Sequence, residues 1–343
     1  MNLYLENGYV NIPAIIKLGL PFNFLIGGRA TGKTYTSLKT VYEERIKFMF
    51  MRRTQSQADL INKKEFSPFK ALNRDIGINV GTQTITKYNS AFYNMVSDGD
   101  KDVPEGLPIG YTCALSTISN MRGFDASDVD VLIYDEFIPE RHERPLKNEG
   151  MAFLNAYETI NRNRELNGRK PLQCLCLANA NDLANPLFME LRLVRKAEQM
   201  RSKGQEISID HKRGIGIFIL NESPISAQKR NTALYRLSVD TEFAEMSLNN
   251  NFIGEESGVI KSRKLAEYKP LVAIGEICIY KHKSNGTLYV SMHRMGTPPT
   301  FGAGEIERKR FQRLYSWIWF EYLANTIEFE EVLCEILLTK YLN

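Results

Sequence analysis

The stretch Gly27-Gly28-Arg29-Ala30-Thr31-Gly32-Lys33-Thr34 constrains the fold more than any other part of the chain. It has the spacing G-x-x-x-x-G-K-[ST]. Before it stands a short apolar run, FNFLI (22–26). After it comes GKTYTSLKTVYEERIK, a helical pattern with Leu38, Val41 and Ile46 on one side. Glycines at such a strand-to-helix turn permit backbone angles that aim successive N–H groups into one concave nest. The N-terminus of the following helix adds its dipole. Gly27, Gly28, Arg29, Ala30, Thr31, Gly32, Lys33 and Thr34 are therefore expected to cradle the phosphates of ATP. Lys33 should reach the β- and γ-phosphates, and Thr34 should place its hydroxyl on Mg²⁺. Arg29 either touches the γ-phosphate in cis or lies on the surface.

The rest of the first two thirds alternates buried strands with helices, which implies an α/β fold with a parallel sheet covered on both faces. Strands are predicted at FMFM (48–51), VDVLIYDEF (129–137), PLQCLCLAN (171–179) and IGIFIL (215–220). Helices are predicted at TQSQADLINKKEF, with Thr54 as N-cap, and over 149–166. Residues 76–96 read as a small hairpin, and 98–108, DGDKDVPEGLP, as a surface loop by composition. After about residue 222 the pattern changes to a helical connector. A hairpin over 273–294 follows, with its turn at SNG, then a long helix and a final one from Glu328 onward. In RLYSWIWFEYL, Trp317 and Phe320 are expected on one core-facing side.

A phosphate loop alone does not separate kinase, GTPase and motor. The strand end VLIYDEF narrows the choice. Asp135 suits the acid that supports Mg²⁺. Glu136 directly after it can polarise a water for attack on the γ-phosphate, which a kinase acting on a small substrate does not need. The doublet therefore favours hydrolysis. In motor-type ATPases an inserted strand lies between the loop strand and the acidic strand and carries a polar sensor at its tip. LQCLCLAN is the candidate strand and Asn179 the candidate sensor. Arg162 and Arg164 in NRNRE, and Arg122 in NMRGFD, are candidates for a guanidinium offered to a neighbouring subunit's site.

At 343 residues, with 43% hydrophobic and 24% charged side chains, the chain is long enough for two domains and should pack a core. Its net charge of +4 argues against a fully basic nucleic-acid coat but leaves room for a local basic patch. Five cysteines without framework spacing, and four histidines apart from them, suggest no zinc site and a reducing compartment. No apolar run is long enough to span a membrane, and the first residues do not read as a signal peptide, so a cytoplasmic location is expected.

Together FLIGGRATGKT, FMFMRR, VLIYDEFIPE, TINRNRE, LCLANA and EMSLNNNFIG resemble the DNA encapsidation proteins. These are the packaging ATPases of small short-tailed phages with protein-primed linear genomes, and compact relatives of large terminase subunits. The likeness runs over most of residues 20 to 255 and is weak beyond. It implies an additional-strand P-loop ATPase domain (1–222), a short helical linker (223–251) and a smaller α+β domain (252–343) akin to a degenerate ribonuclease H nuclease. It also implies a homomeric ring, usually a pentamer, seated on the portal of a prohead in the host cytoplasm and absent from the mature virion. That ring would thread double-stranded DNA inward and in some relatives needs a packaging RNA. By matching motifs, Lys33 and Thr34 would grip phosphate and metal, Asp135 would hold Mg²⁺, Glu136 would activate water, and Arg162 and Arg122 would act between subunits. Two departures stand out. ANAN replaces the hydroxyl-rich residues that follow the sensor strand in large terminases, and no aspartate follows Asp240, so nuclease activity is not expected. Lys261, Arg263, Lys264, Lys281, His282, Lys283, Arg294, Arg308, Lys309, Arg310 and Arg313 either touch DNA phosphates or are ordinary solvated charges. The alternatives are a helicase-type ring ATPase and a nucleotide-switched assembly protein.

Overall fold

The computed structural model describes residues 1–99, 101–121, 123–139, 143, 146–179, 183, 185–220, 223, 225, 230–238, 241 and 260–342. The chain divides into two compact units, Met1–Ile253 and Gly254–Asn343. The expected linker, 223–251, and the stretch EMSLNNNFIG lie largely outside the described residues.

Among the described residues the first unit is built on nine strands: β1 Phe22–Gly27, β2 Phe48–Arg52, β3 Val80–Thr86, β4 Asn89–Asp98, β5 Lys101–Ala114, β6 Val131–Asp135, β7 Gln173–Ala178, β8 Ile207–Asp210 and β9 Ile215–Leu220. They form one sheet in the order β3-β4-β5-β2-β6-β7-β1-β9-β8. Strands β5 through β9 in that order run parallel, while β3 and β4 on one edge and β8 on the other are antiparallel. The central strands are buried almost throughout, as strands covered on both faces must be. β7 lies between β1 and β6, as expected of the inserted strand: Cys174 pairs with Phe22 on one side and Leu132 on the other. Cys174 and Cys176 share one face of β7, and burial pushes both thiols well up.

Helix α1 (Ile12–Ile16) precedes β1, and α2 (Lys33–Glu43) follows it, burying Leu38 and Val41. Ile46 lies beyond the helix end yet packs, half-buried, on the same core. Helix α3 (Gln55–Ile61) starts where expected: Thr54 caps it and Gln57 completes a capping box. Helix α4 (Lys70–Ile76) leads to β3.

Two expectations are corrected in this unit. Residues 98–108 are not a loop: most belong to β5, which pairs with β4 from Asp98↔Lys101 to Asn94↔Glu105. β2 reaches β5 only at Gly110–Ala114, so the outer part is a two-stranded ribbon. Such a ribbon is solvated on both faces, which explains its polar composition and its tolerance of Pro104. The helix predicted over 149–166 is α5, Glu149–Asn161; it stops because Arg162 takes a left-handed φ of 47°. β8 and the inner half of β5 were not read as strands at all.

Among the described residues the second unit holds a five-stranded sheet in the order β13-β10-β11-β12-β14, formed by β10 Tyr268–Ile274, β11 Ile277–His282, β12 Leu288–Ser291, β13 Thr300–Phe301 and β14 Ile327–Phe329. The hairpin across SNG is β11–β12, whose antiparallel register includes Tyr280↔Tyr289. The expected long helix is two, Glu305–Leu314 and Trp317–Leu323. The break turns the second helix so that Ile318 is buried, while Trp317 and Phe320 are 39% and 68% exposed, contrary to expectation. Residues 327–329 form β14 parallel to β12 rather than the start of the last helix, which is Val332–Leu342. The unit is α+β, as expected.

Candidate functional site

β1 ends at Gly27, and the chain turns through Gly28–Gly32 into α2. Two residues of the turn have left-handed backbones, Ala30 at φ 59° and Gly32 at φ 76°. A Cβ on Gly27 would meet Leu220 at 2.5 Å, and one on Gly32 would meet the Tyr9 ring at 2.5 Å. Both glycines are therefore required by close approach. Lys33 opens α2, is buried, and donates through Nζ to the carbonyls of Gly27 and Gly28 at 2.9 Å each and to Thr31 Oγ1 at 3.3 Å. This fixes an ammonium against the inside of the turn. Thr31 is also tied back, donating to Gly28 O at 3.1 Å.

Across the sheet, β6 delivers Asp135 and Glu136 to the same end. Thr34 Oγ1 donates to Asp135 Oδ1 at 2.8 Å. A hydroxyl and a carboxylate in contact are hard oxygen donors of the kind Mg²⁺ takes alongside phosphate oxygens and water. Glu136 leaves the strand with φ 59° and is half-exposed. A cleft of about 280 Å³ collects Tyr9, the turn from Ala30 to Tyr35, Asp135, Glu136 and Asn179 at the tip of β7. The structure thus brings together the loop, the acidic doublet and the candidate sensor from three strand ends. Among the described residues no group of three or more His, Cys, Asp or Glu side chains gathers as a metal site.

Two adjacent arginines at the end of β2 were not assigned a role from sequence. Arg52 donates through Nη1 to Asp135 Oδ2 at 2.8 Å and through Nη2 to Glu136 Oε2 at 2.5 Å. Arg53 is fully buried and donates to Glu149 through Nε (2.7 Å) and Nη2 (3.0 Å) and to Glu143 through Nη1 (2.8 Å). Burial opposes the Arg53 charge, but the hydrogen bonds and charge of Glu149 outweigh it, and the guanidinium is held more firmly protonated than a free one. Tyr9 and Tyr35 were missed as well. Their rings meet edge to face at 5.5 Å and form an aromatic wall of the cleft.

The candidate arginines fall in different places. Arg162 is not among the residues lining the cleft; its Nη2 donates to Phe124 O at 2.6 Å and its side chain is 41% exposed. Arg164 is buried and bonded to Val129 and Asp130, a structural role. Arg122 lies outside the described residues. In the second unit, Arg263 and Lys261 pair with Glu328 (2.6 and 3.2 Å), Lys309 pairs with Glu305 at 2.9 Å, and Lys283 donates to Ala266 O at 2.6 Å. The expected cationic surface is therefore partly neutralised by its own neighbours.

A sequence profile of the podovirus DNA encapsidation protein (Gp16) family matches residues 9–297. The chain belongs to this family. The match extends well into the second unit, further than the stretch that first suggested it. Among encapsidation relatives, the DNA packaging protein of Bacillus phage phi29 is 27% identical over 246 residues, 70% of this chain and 65% of that protein, a little under two thirds of its length. The DNA packaging protein of Bacillus phage B103 is 28% identical, over 70% of this chain and 67% of that one. In structure, the encapsidation fold here is similar to a chain of the bacteriophage Phi-29 viral genome packaging motor assembly, with a TM-score of 0.64 and 21% identity over 99% of this chain and 100% of that one. It is also similar to the Phi-28 gp11 DNA packaging motor, with a TM-score of 0.63 and 17% identity over 98% of each chain.

Proposed function

We propose that this chain is an ATP-hydrolysing motor subunit that moves double-stranded viral DNA into a prohead. The observation that carries the reading is the meeting of Thr34 Oγ1 with Asp135 Oδ1 at 2.8 Å, with Glu136 next in sequence at the same cleft, in a member of the encapsidation family. The domain division into ATPase (1–222), linker (223–251) and C-terminal domain (252–343) belongs to the same proposal.

The Gly27–Thr34 turn binds the phosphates of ATP. Lys33, already fixed by the Gly27 and Gly28 carbonyls, offers its ammonium to the β- and γ-phosphates. Thr34 and Asp135 hold Mg²⁺, which supplies charge neutralisation at the phosphates when bound. Glu136 takes a proton from the attacking water as the water oxygen bonds to the γ-phosphorus; the bond to the bridging oxygen breaks and ADP leaves with the electron pair. Asn179, between loop and acid on β7, senses the terminal phosphate. Arg162, exposed and outside its own chain's cleft, serves the cleft of a neighbour in a homomeric ring, with Arg122 in a similar role. Five subunits, a seat on the portal, a packaging RNA and DNA phosphate contacts from the C-terminal cations complete the proposal, which takes place on the prohead in the infected host.

The test compares ATP turnover with and without duplex DNA and matching proheads, for wild type and Glu136→Gln. The variant is expected to bind ATP yet lose turnover by about 10²–10⁴-fold, and packaging with it. A chain that kept its assembly function without turnover would be a nucleotide-switched assembly protein. One that separated the strands of a forked duplex would be a helicase.

A further inference from the structure

Ahead of α1 the chain folds back on itself from Leu3 to Asn11. Tyr4 bridges Val10, and the Asn11 amide donates to Leu3 O at 2.8 Å. The tip is closed by the Leu5 amide on Tyr9 O at 2.8 Å and the Gly8 amide on Leu5 O at 2.9 Å. Gly8 takes a left-handed φ of 79°, which suits a tight tip. This small hairpin touches the phosphate turn at two points. The Val10 amide donates to Thr31 O at 3.0 Å, and the Tyr9 ring lies 2.5 Å from where a Cβ on Gly32 would sit.

A lone two-stranded hairpin is marginally stable, so its place depends on what holds its tip. Ser223, just past the end of β9, is buried and donates through Oγ to Gly8 O at 2.7 Å. The same oxygen accepts the Ile225 amide at 3.3 Å, which turns its proton toward Gly8. β9 ends level with the start of the turn, Leu220 beside Gly27 in the register. The exit of β9 therefore reaches both ends of the turn. Leu220 packs on Gly27, and Ser223 backs Gly32 through Gly8 and Tyr9.

The turn needs such backing. Ala30 carries its side chain at φ 59°, and a backbone of this kind persists where the surroundings fix it. A turn free to leave its binding shape binds more weakly in proportion to the time it spends elsewhere. We propose that Ser223 is a positioning residue for the ATP cradle: acting through the Gly8 carbonyl, it keeps Tyr9 on Gly32 and so holds the phosphate turn in its binding shape. This rests on the functional reading above.

Displacement of a fluorescent ATP analogue from the full-length chain, together with steady-state ATP turnover, tests it. Ser223→Ala leaves the buried Gly8 carbonyl unanswered and is expected to raise Kd and KM for ATP about fivefold, with kcat within about twofold of wild type. Ser223→Thr, which keeps the hydroxyl, should restore most of the affinity. In a Tyr9→Ala background, itself weakened, Ser223→Ala should cost less than about twofold further, because the two act through one contact. Inorganic tripolyphosphate, which has no base to stack, should lose affinity by the same factor as ATP. A merely structural serine would lower the melting temperature without this pattern. If Ser223→Ala does not fold, Ser223→Cys takes its place with the same expectations. An unchanged Kd overturns the proposal, as do losses that add fully to those of Tyr9→Ala, or a loss carried by kcat. So does a loss confined to ATP, or a tripolyphosphate that fails to displace the analogue from the wild type, since the turn would then not hold phosphate in this way. A wild-type chain that neither bound nor hydrolysed ATP would remove the functional reading as well; an active wild type indifferent to Ser223 would remove only this inference.

Discussion

Gly32 meets two demands at once, a left-handed φ of 76° and the Tyr9 ring 2.5 Å from where a Cβ would sit. Gly32→Ala is expected to destabilise the chain by about 1–3 kcal/mol and to weaken ATP binding, read by thermal melting and nucleotide titration. An alanine tolerated in both measurements would mean that the turn does not hold this shape. Residues of this kind are legible in sequence because the motif is local: Gly27, Gly32, Lys33 and Thr34 are contiguous with the strand and helix that fix them. Asp135 and Glu136 were legible for the same reason, standing at the end of an apolar run. Arg52 was not. Its partners are 83 and 84 residues away, and only the strand register brings them level. Tyr9 was missed because it reaches Gly32 from a segment with no motif of its own.

At the scale of elements, α5 shows how a helix end is decided by more than its pattern. Its first residue, Glu149, is buried and receives Arg53 from β2, Tyr134 OH at 3.4 Å and the Leu146 amide at 2.9 Å. Its last turn is closed by Asn161, whose side chain accepts the Leu172 amide at 2.8 Å. Glu149→Ala leaves a buried guanidinium without its main partner and is expected to cost about 3–5 kcal/mol, visible as a lower denaturation midpoint. A change within 1 kcal/mol would show that Glu143 alone suffices. The sequence reading placed α5, β1, β2, β6, β7 and β9, because buried strands and a helical stripe carry strong apolar patterns. It placed the hairpin of β3 and β4 within 76–96, but missed β5 as its partner because a strand end solvated on both faces has no apolar alternation to read. It missed β14 because three residues are too few to show any period.

For the whole molecule, the inserted strand is legible in the sequence, since a fourth apolar run between the acid and β9 has to enter the sheet somewhere. The proposed action of Arg162 on a neighbouring chain would be a property of an assembly. Mixing Arg162→Ala chains with Lys33→Ala chains addresses it: each is expected to be inactive alone, and the mixture is expected to regain ATPase activity, because a mixed neighbour pair would join an intact cradle to an intact arginine. A mixture that stays inactive while both chains assemble would refute action in trans. All described residues lining the cleft, from Tyr9 to Asn179, belong to the unit Met1–Ile253. Mutation in the gene segment for residues 254–343 therefore leaves the cleft's own wall intact. A lineage can vary that segment while inheriting the cleft unaltered.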